Sequence, residues 1–337
     1  MSARKKDQFK VVKDLLTKAD TIIVATDSGR EGSNIAWSIM SQAQIDVKKK
    51  TIKRLWLNSL EKDAIITGFK NLGDHMQHFS HHYQSDISRQ QFDLIRQDLE
   101  ASRKRTHPKH IDTYDIFCAM LYVLKNGCTW RDLPADYPKW STVYYYWMSW
   151  SKAPTPDKPA LLTQVLKKLS LIDDYGKGGQ PLILDAQSIK NTATAENKGY
   201  DGGKKISGIK RHLAVDINGF PQAIHITRAN ITDRDGAIAL VTLNLEHFKL
   251  VRTMMVDSGY TGQNFANEIS SLTSAKVIVV KRNELHQFSV IPQRWLIERS
   301  FSWLENYHRL WRNCERKLNT SLMMVSLAFI RLLLKRY

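Results

Sequence analysis

The stretch HLAVDINGFPQAIHIT, residues 212–227, sets two β-rich runs around Asn218-Gly219. An Asn-Gly pair tolerates the positive-φ positions of a tight hairpin turn, so the two runs are predicted to pair antiparallel. That hairpin constrains its surroundings. One apolar run, PLILD, precedes it and ends at Asp185. Two more follow, RTMMVD ending at Asp257 and KVIVV at 276–280. Helical spacing fills the gaps, from a cap at Asp233 or Asp235 through residue 244, and again over 262–271. The order β, β-hairpin, α, β, α, β, α, α describes an α/β fold built on a mixed sheet.

The chain before this region reads differently. Residues 88–170 have helical spacing and no convincing strand. Ser88–Glu100 is one predicted helix and Asp112–Lys125 a second, stopped by Gly127 as a C-terminal glycine would stop it. The segment GCTWRDLPADYPKWSTVYYYWMSW then offers a short helix, a proline-bounded turn and a helix from Ser141 or Thr142, a helix-turn-helix pattern. Most of its aromatic residues (Tyr144, Tyr145, Tyr146, Trp147, Trp150) are expected in the core, with one or two facing DNA. KAPTPDKP is a hinge, and Leu161–Leu171 a further helix. The first seventy residues show a β-α-β-α pattern, and the His-rich run DHMQHFSHHYQSD after it reads as a polar linker. The expected divisions are therefore 1–73, a linker at 74–87, a helical domain at 88–172 and an α/β domain at 173–337.

Charge narrows the partner. Fifty Lys and Arg oppose 33 acidic residues, a net charge of +17. Such an excess fits a polyanion, double-stranded DNA first, with steep salt dependence. The three cysteines, Cys118, Cys128 and Cys314, form no CxxC pair, which argues against a zinc site or a disulfide framework and for the cytosol. MSARKKDQFK lacks the apolar core of a signal peptide. The longest apolar run, Leu322–Leu334, contains Arg331 and is too short to span a bilayer, so no membrane role is expected.

Three carboxylates carry the chemistry. Asp185 and Asp257 each close a predicted strand, and Glu298 lies on the helical segment IPQRWLIERSFSWL, four residues after Arg294. Singly, each has a common structural explanation: a turn former, a cap, or an ion pair with Arg294 or Arg299. Brought together at one sheet edge, they suit Mg²⁺ or Mn²⁺, hard cations that prefer oxygen. Two such ions, roughly 3.5–4 Å apart, clamp the attacking and leaving oxygens of an in-line phosphoryl transfer. Lys210, Arg211 and His212, after GGKKISGIK, either grip DNA phosphates or orient a water, or form plain solvated surface; Arg299 and Arg309 are similar. No Ser-His-Asp arrangement is visible, and GGKK lacks the spacing of a phosphate-binding Walker loop.

From about Gln84 onward the chain resembles bacterial insertion-sequence transposases of the DDE type, closest to the insertion-sequence-five group. LKNGCTWRDLPADYPKWSTVYYYW resembles that group's DNA-binding region, and ILDAQSIK, SGIKRHLAVDINGFP, ANITDRDGA, VDSGYTG and RWLIERSFSWL resemble its catalytic blocks, in order. The resemblance implies an RNase H-like mixed-sheet catalytic domain behind an all-helical DNA-binding region, with Asp185, Asp257 and Glu298 as a metal-binding triad. It also implies terminal inverted repeats and target DNA as substrates, and a homodimer in the active complex. Arg131, Lys210, Arg211, His212, Arg294 and Arg299 are the expected DNA-contacting residues. The group's Tyr-x2-Arg-x3-Glu-x6-Lys signature is partly kept: Arg294 and Glu298 match, Ile291 and Glu305 do not, and Asn306 and His308 replace frequent arginines.

Residues 4–72 resemble a second family, the Toprim region of bacterial type IA topoisomerases, nearest to topoisomerase III. ADTIIVATDSGREGSNIAWSIM and KRLWLNSLEKDAIITGFKNL carry the match. That family's turn reads Asp-x-Asp-Arg-Glu-Gly-Glu. Here Asp27, Arg30, Glu31 and Gly32 remain, with Gly29 in place of the second Asp and Ser33 in place of the last Glu. Asp27 and Glu31 are thus vestigial, and no independent topoisomerase activity is expected from a partial Toprim-like α/β segment. An insertion element landing in or beside a topoisomerase gene would explain the join. The leading expectation is a metal-dependent transposase. The alternatives are an inactive DNA-binding fusion remnant and a metal-dependent nuclease without strand transfer.

Overall fold

The computed structural model describes residues 3–25, 36, 39–40, 42–46, 49–55, 62–74, 87–102, 111–155, 158–172, 181–280 and 294–337. They fall into two compact units, Met1–Asp86 and Ile87–Tyr337.

In the first unit, α1 (Ala3–Lys18) leads into β1 (Thr21–Val24), followed by β2 (Thr51–Arg54), α2 (Lys62–Lys70) and β3 (Gly73–Asp74). β2 lies between the other two, parallel to β1 and antiparallel to β3. Burial alternates along β1 and β2, as a one-sided sheet requires. The buried side joins Ile22, Val24 and Ile52 to Ala36 and Met40. Asp27 and Glu31 lie outside the described residues.

The second unit begins with four helices: α3 (Arg89–Ala101), α4 (Thr113–Asn126), α5 (Trp140–Ser151) and α6 (Leu161–Ile172). Their ends follow local chemistry. Ser88 and Gln91 form a reciprocal capping box at α3. The Asp112 carboxylate accepts the Tyr114 amide at 3.0 Å to start α4. Gly127, at φ 68°, ends α4 in the left-handed region that a side chain disfavours.

The sheet contains β4 (Leu182–Lys190), β5 (Gly199–Asp201), β6 (Ile206–Val215), β7 (Pro221–Arg228), then, after α7 (Asp233–Thr242) and the single turn α8 (Leu245–Phe248), β8 (Thr253–Val256). α9 (Gln263–Thr273) and β9 (Lys276–Val279) follow, then α10 (Arg294–Glu305) and α11 (Leu318–Leu334). The strand order is β5-β6-β4-β8-β9, with β7 continuing the β5 side of β6. β4 pairs antiparallel with β6 and parallel with β8, so the sheet is mixed.

Each sheet face has its own cover. Ile183, Leu213 and Ile226 join a core with Phe117 of α4, Trp147 and Trp150 of α5, Ile297 of α10 and Phe329 of α11. Leu182, Leu184 and Ala214 join a second core with Leu240 of α7 and Phe265 and Ile269 of α9. The expected boundary near residue 172 therefore falls inside one compact unit whose first core draws on both sides of it.

Three local readings shift. β4 continues five residues beyond Asp185, because Ala186–Lys190 keep pairing with Gly208–His212 of β6. β6 starts at Ile206 and gains the short β5 as a partner. The cap of α7 is Thr232, whose hydroxyl accepts the Asp235 amide at 3.1 Å. Among the described residues no helix is long and apolar enough to cross a membrane.

Candidate functional site

Strand register brings the two aspartates together. Ile183 of β4 sits beside Met255 of β8 in a parallel pair. Two residues on, along the same face, come Asp185 and Asp257. Both line one pocket with Ile183, Leu184, Met255, Val256, Val280 and Ile297. Apolar walls on four elements or their ends (β4, β8, β9 and α10) surround two carboxylates. Burial above all, and then the Asp257 charge, hold the Asp185 carboxyl up at about 6, while the Ala186 amide and the Lys204 charge oppose them. Asp257 also caps the short 3-10 turn Ser258–Tyr260, accepting the Gly259 amide at 2.8 Å. Burial, then the charges of Asp185, Asp233 and Asp257, raise the Tyr260 phenol well above its usual range.

Ile297 brings α10 into the pocket wall, and Glu298 follows it on the exposed side of that helix. Among the described residues, no three His, Cys, Asp or Glu side chains are gathered closely enough to enclose a metal ion. The Asp185–Asp257 pair itself has the right donor chemistry for a hard divalent cation: oxygen only, partly desolvated, with mutual repulsion that a cation would relieve.

Lys210, Arg211 and His212 correct the expectation of a DNA-facing cluster. They are 5%, 3% and 1% exposed, because β6 is paired along both edges and helices cover both faces of the sheet. Lys210 Nζ meets Asp233 at 2.7 Å and donates to the Ile231 carbonyl at 2.8 Å. Arg211, on the opposite face, donates to the Leu310 carbonyl at 2.6 Å, and burial lowers its pKa to about 10. His212 shares a hydrogen bond of 2.8 Å with the Thr227 hydroxyl.

Burial, then the neighbouring His225, lower the His212 pKa from 6.5 to about 3, and burial and Lys167 lower that of His247 to about 4. The unfolded chain takes up these protons near 6.5 and the folded chain does not. Their contribution to stability is complete above about pH 6.5 and drains as pH falls towards the folded values. Asp185 acts with the opposite sign, its contribution being lost as pH rises from 3.8 to about 6. Comparing His212→Asn with the parent chain isolates the imidazole. Denaturant midpoints of the variant should fall less steeply between pH 7 and 4; parallel slopes would refute the assignment.

The remaining expected DNA contacts divide. Arg131 is exposed, its guanidinium 5.4 Å from the Trp140 ring centroid. Arg294 opens α10, and its side chain lies outside the described residues. Arg299 is half-buried between Trp295 and Trp303, 4.5 and 4.9 Å from their ring centroids, and donates to the Asn218 carbonyl. It thus ties α10 to the hairpin tip. Ser300 makes a parallel tie to the Gly219 carbonyl.

Comparison with known proteins bears on this geometry. Residues 176–333 match the family model of the transposase DDE domain. This chain carries a transposase DDE domain. Asp185, Asp257 and Glu298 all fall within it. Residues 87–158 match the model of a transposase of the IS4/5 family, and residues 2–60 the Toprim domain. DNA topoisomerase 3 of Staphylococcus haemolyticus (strain JCSC1435) is 43% identical over 90 residues, 26% of this chain and 12% of that protein. DNA topoisomerase 3 of Staphylococcus aureus (strain USA300) matches over the same shares at 43%. The chain thus spans about an eighth of the length of these curated relatives. Among solved structures, the Drosophila P element transposase strand transfer complex is 13% identical over 61% of this chain and 48% of that one, with a TM-score of 0.31. A simian T-cell lymphotropic virus intasome bound to PP2A regulatory subunit B56 gamma is 12% identical over 61% and 66%, with a TM-score of 0.27. Scores this low carry no weight for the transposase domain's fold.

Proposed function

We propose that the chain is a divalent-metal-dependent DDE transposase that cleaves the ends of an insertion element and joins them to target DNA. One observation carries this reading: Asp185 and Asp257, from strands paired in parallel, line one apolar pocket whose wall includes the helix of Glu298. The match of residues 176–333 to the transposase DDE domain supports it. In this reading the second unit has an RNase H-like fold, and Asp185, Asp257 and Glu298 are the metal-holding triad.

Mg²⁺ or Mn²⁺ bound there would polarise the scissile phosphate and activate the attacking oxygen. The chain's own groups supply the rest. Asp185 and Asp257 present their oxygens from fixed strand positions, and the apolar walls restrict water around them. Glu298 contributes the third carboxylate from α10. The helical stretch 88–172, with Arg131 on its exposed side, binds the terminal repeats, together with Arg294 and the basic surface. Two copies would hold two ends, and the bacterial cytoplasm is the expected compartment. The Toprim-like unit takes no part in this chemistry.

Labelled element-end duplexes incubated with the full chain and Mg²⁺ test the reading. Joined products are expected. Nicked products alone would favour a nuclease, and a shifted complex without cleavage would favour an inactive DNA-binding remnant.

A further inference from the structure

The turn between β5 and β6 has the sequence Asp201-Gly202-Gly203-Lys204-Lys205, and it is held unusually firmly for a glycine-rich turn. One Asp201 carboxylate oxygen accepts the backbone amides of Gly203 and Lys204, both at 3.1 Å. The other accepts the Ser188 hydroxyl of β4 at 2.6 Å and lies 3.5 Å from Lys210 Nζ of β6. The turn is thus tied to both neighbouring strands. Lys205, at φ 52°, adopts a left-handed conformation that a lysine rarely takes.

This rigid turn aims one side chain. Lys204 is exposed overall, yet its ammonium bends back to donate to the Ala186 carbonyl at 3.1 Å, one residue beyond Asp185. Its charge acts on the Asp185 carboxylate. Lys210, six residues on, is the contrast: it is buried and engaged by Asp201, Asp233 and the Ile231 carbonyl. Among the described residues the Lys204 ammonium has one hydrogen-bond acceptor, which leaves two N–H groups for a ligand.

We propose that Lys204 is the working cation of the Asp185–Asp257 site, a counter-ion to the carboxylates in the metal-free chain and a contact for a non-bridging phosphate oxygen of DNA when the site is loaded. The phosphate role rests on the transposase reading; the counter-ion role does not. A lysine on a held turn beside two carboxylates repels an incoming divalent ion and attracts the backbone phosphate that follows it. No covalent step is assigned to it.

The test uses the full chain with Lys204→Gln and Lys204→Arg, and two readouts. Mn²⁺ titration without DNA, followed by electron paramagnetic resonance, should show on the order of tenfold tighter binding to Lys204→Gln and near-parental binding to Lys204→Arg. Cleavage of labelled element ends in Mg²⁺ should fall about 100-fold in Lys204→Gln and recover in part in Lys204→Arg, with thermal melting and the metal-free DNA gel shift unchanged. Tighter Mn²⁺ binding with a parental chain that cleaves nothing would keep the counter-ion role and overturn the transposase reading. Parental cleavage with a Lys204→Gln variant within twofold in both readouts would overturn the proposal and keep that reading. Absence of Mn²⁺ binding to the parental chain, or an equal gain in both variants, would also overturn it.

Discussion

Asp257→Asn is expected to leave the chain folded and able to shift element-end DNA while Mg²⁺-dependent cleavage falls by about 10³-fold or more. The substitution is chosen for what it preserves. The Asp257 carboxylate accepts the Gly259 amide and caps the turn Ser258–Tyr260. An asparagine oxygen can accept the same bond, so the turn keeps its cap. What is lost is one negative charge in a pocket where two carboxylates face apolar walls. A divalent cation depends on that charge far more than the turn does. Quantified cleavage beside a gel shift and a melting curve makes the check. Retained cleavage would sink the assignment of Asp257 to the metal site, whereas loss of melting cooperativity would show that the cap matters more than argued.

Gly236→Ala is expected to destabilise the second unit by about 3 kcal/mol through overpacking. Gly236 lies in α7, where the helix passes over β6. A methyl carbon there would sit 1.9 Å from Cε1 and 2.2 Å from Nε2 of His212. The imidazole has nowhere to go. It is 1% exposed, bonded to Thr227, and stacked 6.1 Å from His225. Displacing α7 instead would pull Asp233 from Lys210. Denaturant midpoints of Gly236→Ala, His212→Ala and the double variant form a cycle that separates the clash from other effects. The double variant should recover part of the loss. A single Gly236→Ala variant within about 0.5 kcal/mol of the parent would show that α7 moves freely over the sheet.

Elements whose ends are set locally were legible in the sequence. Ser88, Asp112 and Gly127 act through bonds to residues at most four positions away, so their spelling suffices. The hairpin around Asn218-Gly219 is of the same kind. Gly219, at φ 80°, takes the conformation its residue type favours. The strand of Asp185 was read too short, since nothing local distinguishes a strand end from a strand middle; pairing with β6 decides it. The same applies to Lys210, Arg211 and His212. Their composition suggests surface, but they lie on the central strand β6 with helices on both sides. Lys204, directly after the two glycines of the turn, carries the opposite lesson. Its identity resembles solvated lysine, and only the held turn gives it a direction.

The final helix has a consequence for synthesis on the ribosome. Met324, Phe329 and Leu333 of α11 belong to the same core as Phe92 of α3, Trp150 of α5 and Leu213 of β6, yet α11 leaves the exit tunnel after all of them. Until it emerges, the parts of α4, α6 and β7 that pack on α11 lack that cover, and a nascent chain at that stage exposes apolar surface of the kind chaperones bind. The wall of the Asp185–Asp257 pocket at Ile297 is likewise added late, by α10, after every strand of the sheet has been made.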